Sequence, residues 1–301
     1  MACLFTRARA VSMNNLNGIL LMIGGMVGFT FEDMFIKMLT GSLPVGQVLL
    51  LIAIGSAAIF LALSLALRHR PFARAAWRPV FMVRAGCEAI AAVCFVTALS
   101  TVDLSVVAAV FQALPLVITM GAALFLGEQV GWRRWTAISL GFVGVLLIIR
   151  PGMEGFEPRV LLVLISVLAV ATRDLLTRRI DVTVPSTVVS FQGFAAVIPA
   201  GVLLLAVTPQ QAALPDAAEW WKTAGGVTFG ALGYYAVTAS MRLADVAALM
   251  PFRYTRLVFS MLVGMVVFHE RPDAITLLGA GLIIATGFYT FLREQRLARA
   301  A

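Results

Sequence analysis

The chain has 301 residues, of which 61% are hydrophobic and only 13% charged, and its mean hydropathy is +0.96. A soluble domain carries roughly 25% charged residues to cover its surface, so this composition excludes a water-soluble globule and points to a polytopic membrane protein. The formal net charge of +8 forms no continuous basic face, which argues against nucleic acid as a partner; the expected partners are the lipid bilayer and a small-molecule substrate.

Residues 1–16 carry Arg7 and Arg9 but lack an apolar core. They read as a cytoplasmic N-terminal segment rather than a cleavable signal peptide, with Met13 as an alternative start. Apolar runs long enough to cross ~30 Å of hydrocarbon as helix then recur ten times, at 17–39, 45–67, 79–99, 104–126, 132–149, 159–178, 185–207, 219–241, 246–268 and 273–292. Helix is the state open to them, because an open sheet strands polar backbone in lipid. With the N-terminus inside, fourteen arginines outside the spans, from Arg7 to Arg299, fall on the cytoplasmic side. Against them stand Arg150, Arg159, Lys222 and Arg271. That bias places both termini in the cytoplasm.

The pattern is stated twice. Pro44 follows Asp33 by 11 residues and Pro185 follows Asp174 by 11; Asp103 to Glu128 is 25 residues, as is Asp245 to Glu270. The period is far longer than that of soluble repeat arrays. A unit of five spans is odd, so its second copy inserts upside down, as in many secondary transporters. The predicted fold is all-α, ten transmembrane helices as two inverted five-helix repeats. The repeats occupy 17–150 and 159–292, joined by a periplasmic linker at 151–158 and followed by a cytoplasmic tail at 293–301.

Ionisable groups inside spans point to function, since each costs roughly 2.5–3.5 kcal/mol on insertion scales and must face an interior or a water path. Asp33 and Lys37 are four apart, as are Asp174 and Arg178, which places opposite charges on one helical face. Glu32, Asp33, Lys37, Arg173, Asp174 and Arg178 are therefore the candidate gating or ion-coupling residues. The plainer reading is a neutralising salt bridge, with Lys37 and Arg178 snorkelling to the headgroups. Arg84 and Glu88 lie one turn apart on the third span, with Glu88 roughly 13 Å beyond its cytoplasmic end. The repeat counterpart of Glu88 is Phe229 or Gly230, so the bundle itself does not require that charge. Arg253 and Arg256 share a face of the ninth span behind Pro251, which loosens the local backbone bonding. A guanidinium suits a bidentate grip on carboxylate or phosphate. Phe111, Gln112, Tyr234, Tyr235 and Tyr254 add aromatic and polar lining suited to a planar ring. Glu88, Arg84, Gln112, Phe111, Tyr234, Tyr235, Arg253, Tyr254 and Arg256 form the candidate substrate-binding set.

Other residues read as architecture. Cys3, Cys87 and Cys94 have no metal or disulfide spacing, and no metal or cofactor is expected. Trp77, Trp132, Trp135, Trp220 and Trp221 fall where interfacial aromatic belts sit. Gly226 with Gly230, Gly141 with Gly144 and Gly279 with Gly281 permit close helix approach, so the fifth and tenth spans are packing elements and candidate dimer surfaces in a monomer or homodimer. Glu128 and Glu270 are expected to cap the helices that follow them.

Certain stretches carry a family resemblance. They are Pro115 through Gly127-Glu128, Trp132-Arg133-Arg134-Trp135, Gly141, Gly144 and Arg150-Pro151-Gly152, then Pro251-Phe252-Arg253-Tyr254, His269-Glu270-Arg271-Pro272, Gly279 and Gly281. They resemble the drug/metabolite transporter superfamily, in its ten-span members with two EamA-type halves. His269 stands where that family's pattern usually has Gly. Glu32-Asp33-Met34, Pro251–Tyr254 and Glu270–Asp273 are most similar to bacterial riboflavin or S-adenosylmethionine uptake members. The resemblance implies a central cavity lined by the third, fourth, eighth and ninth helices, helped by the first and sixth. It also implies a non-enzymatic secondary transporter in the bacterial cytoplasmic membrane, moving a small polar, zwitterionic or anionic metabolite by alternating access. A lipid-carrier flippase would use the same bundle. An intramembrane lipid-modifying enzyme would need a base at one depth, whereas the two histidines, His69 and His269, are expected on opposite sides.

Overall fold

The computed structural model describes residues 2–125, 131–152, 156–177, 184–243 and 249–300, with all of their side chains except those of 2–15, 75, 134, 242, 250 and 294–300. Every regular element among them is helical. In chain order these are α1 (Ala2–Thr40), α2 (Val45–Ala66), a 3₁₀ turn (Arg74–Trp77), α3 (Pro79–Leu99), α4 (Leu104–Phe111), α5 (Leu114–Phe125) and α6 (Trp132–Ile149). There follow α7 (Val160–Thr177), α8 (Ser186–Val207), α9 (Ala217–Leu243), a 3₁₀ segment (Met250–Tyr254), α10 (Thr255–Val267) and α11 (Ala274–Ala300).

Seven stretches among the described residues are long and apolar enough to cross a bilayer: Leu16–Thr40, Val45–Ala66, Pro79–Leu99, Leu104–Phe125, Val160–Thr177, Ser186–Val207 and Ala274–Arg293. Trp135–Ile149 is apolar but shorter. The chain is thus a polytopic helical membrane protein. The other two of the ten expected spans fall outside this set for visible reasons. Helix α9 dilutes its apolar residues with Glu219, Lys222 and four glycines, and α10 is only 13 residues long.

The spans expected to be continuous at 104–126 and 246–268 are each broken. Helix α4 ends in a tightened turn, where the Ala113 amide bonds the Val110 carbonyl at 3.0 Å just ahead of Pro115. In the second half, Pro251 sits in the 3₁₀ segment that precedes α10. Proline lacks the amide that a continuous helix needs and crowds the preceding turn. Gln112 and Arg253, at the two breaks, are 141 residues apart, the same interval that separates Asp33 from Asp174.

The tightest packing joins one half of the chain to the other: α1 with α9, α2 with α8, α3 with α7 and α6 with α11. Each pair is antiparallel. Gly25 lies against Val237 and Phe35 against Gly225; Gly46 meets Leu205 while Phe60 stacks on Phe194; Gly141 meets Thr286 while Ile148 meets Gly279. Three of these crossings seat glycine on glycine. At one of them a Cβ on Gly144 would come within 2.8 Å of the Gly279 carbonyl, and a Cβ on Gly279 within 2.6 Å of the Gly144 carbonyl. Lipid supplies no hydrophobic drive between helices, so such backbone-close van der Waals contact holds them together. All five tryptophans are exposed, as interfacial anchors require.

Candidate functional site

Contacts among α1, α3, α7 and the 3₁₀–α10 segment gather four carboxylates (Glu32, Asp33, Glu88, Asp174) and four guanidiniums (Arg84, Arg173, Arg253, Arg256) inside the bundle. The formal charges of this set cancel. The partners differ from those that one-turn spacing suggested.

Asp33 passes over Lys37 and accepts a 2.6 Å bond from Arg256 Nη2, across the two halves. The Arg256 guanidinium also lies over the rings of Phe29, Phe95 and Phe111, at 5.4, 5.8 and 5.3 Å from their centroids. A buried fork with aromatic faces around it outcompetes a one-turn ion pair worth only ~0.3–0.5 kcal/mol. Likewise Glu88 leaves Arg84 and takes Arg173, whose Nη1 stands 2.7 and 2.9 Å from the two Glu88 oxygens. Arg173 also donates to Asp174 Oδ1 from Nε and Nη2, at 2.9 and 2.8 Å. Arg84 is held by neutral acceptors, Thr177 Oγ1 at 2.9 Å and the Val189 carbonyl at 3.5 Å.

Two charged groups of the set have neither an ion pair nor a hydrogen bond among the described residues: Glu32 and Arg253, both half-buried. Glu32 rests on the bare backbone of Gly230, where a Cβ would stand 2.4 Å from Oε1. Arg253 is positioned by its own main chain, whose carbonyl accepts a 3.5 Å bond from Gln112 at the opposing helix break. The paired side chains of Arg256, Arg173, Glu88 and Asp174 keep 17%, 20%, 27% and 28% exposure. These charges are ringed by helices and turned toward one another, the arrangement that makes ionisable groups tolerable inside a membrane bundle.

The remaining lining residues divide. Gln112 and Phe111 lie at the site, and Tyr234 packs edge-on against Phe60 at 5.2 Å with its oxygen near Arg173. Tyr235 does not join them: its ring is 63% exposed and outside the network, because one step along a helix turns a side chain by about 100°. Tyr254 is buried, with its hydroxyl resting against Gly287 of α11. Arg178 and Glu128 lie outside the described residues.

A second cross-half cluster closes one end of the bundle. Glu270 was expected to cap the helix that follows it; instead it caps α4 in the other half. Its oxygens accept from the Leu104 amide at 2.6 Å, the Ser105 amide at 2.9 Å and the Ser105 hydroxyl at 2.7 Å. Lys37 Nζ lies 3.2 Å from Glu270 Oε1 and donates to the Val102 carbonyl at 2.6 Å. The turn that aims Glu270 is made at His269, with φ of 56°. This left-handed position ordinarily takes glycine and costs another residue ~1–2 kcal/mol. Desolvation, with the nearby charge of Glu270 second to it, raises the carboxyl pKa of Asp103 against the opposing pull of Lys37. Beside this cluster Arg150 pairs with Asp273, which also caps α11 through the Thr276 amide at 2.9 Å. These bonds, the Arg150 one foremost, hold the Asp273 carboxyl well below the usual range. The only sequence signal for the Glu270 role was its place in the repeat and the glycine replaced by His269.

Residues 16–150 and 158–292 each match the EamA-like transporter family. The chain belongs to that family. The S-adenosylmethionine uptake transporter of Rickettsia felis is 27% identical over 197 residues, covering 62% of this chain and 63% of its own. The riboflavin transporter of Rhizobium johnstonii is 28% identical over 232 residues, 74% of this chain and 72% of its own. The riboflavin transporter of Vibrio cholerae is 30% identical over 200 residues, 64% of this chain and 63% of its own. The chain thus spans just under two thirds of the length of the first of these relatives. A solved crystal structure covers 89% of this EamA-like chain and 96% of its own, with a TM-score of 0.62 at 20% identity, which establishes a shared fold.

Proposed function

We propose that this EamA-like protein is a secondary transporter of a small polar metabolite, zwitterionic or anionic, in the bacterial cytoplasmic membrane. It works by alternating access between two inverted five-helix halves, 17–150 and 159–292, with both termini in the cytoplasm. The observation that carries the reading is the mid-bundle charge set. Eight ionisable side chains from both halves meet inside the bundle, linked across the halves by Asp33–Arg256 and Glu88–Arg173. Such a set is expensive in a membrane and is explained by a passage for polar cargo.

The inverted arrangement is supported by two antiparallel pairs, α2 with α8 and α6 with α11, each joining an element to its own counterpart in the other half. A repeat in one sense would set counterparts parallel. The positive-inside bias assigns the Glu270 cluster to the periplasmic mouth, so that cluster acts as the outer gate, fastened in this conformation. Rocking one half against the other then unfastens Glu270 and exposes the central charges to the outside. The substrates for which the relatives are named, S-adenosylmethionine and riboflavin, are the first candidates for the cargo.

The test is counterflow into proteoliposomes loaded in turn with S-adenosylmethionine, riboflavin and a panel of amino acids. Labelled solute is expected to accumulate for at least one of them, and Glu88→Gln and Arg256→Gln each to abolish most of that accumulation. Accumulation that both variants leave intact would show that the central set is not the transport site.

A further inference from the structure

We infer that the central site is built for a solute carrying a carboxylate and a separate cationic group, with Arg253 receiving the carboxylate and Glu32 the cation. This rests on the transporter reading above and narrows it. Six of the eight central charged groups are answered by other side chains or by the Val189 carbonyl. Asp33 is held by Arg256, Arg173 by Glu88 and Asp174, and Arg84 by Thr177 and Val189. Only Glu32 and Arg253 have no such partner among the described residues, and they carry opposite signs.

Glu32 is next to Asp33 in the chain and Arg253 lies one turn ahead of Arg256, so both border the Asp33–Arg256 ion pair. An anion would answer Arg253 and leave Glu32 exposed to a second negative charge; a cation would do the reverse. An uncharged ring would leave both buried and unmet. A zwitterion answers both and leaves the balanced charge of the set unchanged. The rings of Phe29, Phe95 and Phe111 around Arg256 offer an apolar wall between the poles, which suits an α-amino acid with an apolar side chain. Gly230 leaves the space that the Glu32 head needs, and the Gln112 bond to the Arg253 carbonyl sets the height of the other pole.

The experiment uses the full chain in proteoliposomes, with labelled methionine and phenylalanine, the amides of both (no carboxylate) and their deaminated acids (no ammonium). Each amino acid is expected to bind roughly 10- to 100-fold more tightly than either of its analogues, the size of one lost charge-assisted bond. Arg253→Gln should weaken the amino acid by a similar factor and leave the amide unchanged. Glu32→Gln should weaken the amino acid and leave the deaminated acid unchanged. Arg253→Lys and Glu32→Asp, which keep the charges, should lie between. A merely structural role weakens all ligands alike, and that result overturns the assignment. So does an amino acid that binds no better than its analogues. Should riboflavin be carried while no amino acid binds, the substrate class is wrong and the transporter reading stands. Should nothing in either panel bind or move, both fall.

Discussion

Replacing Glu270 by glutamine removes one charge from the fastened end of the bundle while keeping the shape of the side chain. The carboxylate accepts three hydrogen bonds, from the Leu104 amide, the Ser105 amide and the Ser105 hydroxyl, and faces Lys37 at 3.2 Å. Bonds to a charged acceptor contribute ~1.5–3 kcal/mol each. Glutamine keeps one oxygen but turns an NH₂ toward a second donor, and the ion pair is lost. Allowing for the bond retained, the net loss is about 2–4 kcal/mol, which shifts the balance between closed and open ends by roughly 30- to 700-fold. The readout is a cysteine at Val102, which is buried beneath this cluster, in a chain whose Cys3, Cys87 and Cys94 are replaced. Its labelling by a membrane-impermeant maleimide should accelerate in Glu270→Gln, and in the same direction but less in Lys37→Met. If labelling stays at the parental rate while the melting temperature drops, Glu270 braces the fold and does not gate it.

The Asp33–Arg256 pair is nearly dry on the carboxylate side, so Asp33→Asn or Arg256→Gln alone should each cost ~3–5 kcal/mol by stranding the other charge. The double variant should lose less than the sum, as seen by melting in detergent; strict additivity would mean the two do not interact. Gly144→Leu forces a side chain against the Gly279 carbonyl, where backbone cannot yield, and should lower folded yield and melting temperature by the equivalent of at least ~1–3 kcal/mol. Gly86→Ala, with nothing within 4 Å of the added carbon, should be neutral or stabilising by up to ~1 kcal/mol. The pKa of Asp273 is depressed by Arg150 and Thr276, so its contribution is present above the unfolded carboxylate range and lost as pH falls. The melting difference between parent and Asp273→Asn should therefore shrink below about pH 4. A difference that stays unchanged as the pH is lowered below that point would remove the Arg150–Asp273 bond from the account.

The membrane class and helical state were legible from hydropathy, because the hydrocarbon core imposes the same length and apolarity on every span. The family was legible in the Pro-Glu-Gly landmarks around 115–128 and 251–281. What composition could not reveal was partnership. One-turn spacing suggested Asp33 with Lys37 and Arg84 with Glu88, yet the contacts of α1 with α10 and of α3 with α7 offered Arg256 and Arg173. Those choices depend on which helices meet, information that local periodicity does not hold. The breaks at Gln112–Ala113 and Met250–Tyr254 were half-legible, since Pro115 and Pro251 announced weakened backbone without saying where the helix would stop. Tyr235 was misplaced because neighbouring tyrosines cannot share a helical face. The seven stretches that satisfy span criteria reflect the cost of function: α9 and α10 trade apolar residues for the glycines and charges of the site.

Every glycine seam lies between an early helix and a late one, and this governs how the molecule is made. The ribosome delivers α1, α2 and α6 well before α8, α9 and α11 exist, so the early helices must wait in the bilayer with lipid tails against their glycine grooves. Maturation becomes a docking reaction that starts only when the chain is almost finished, and a truncated product has nothing to close against.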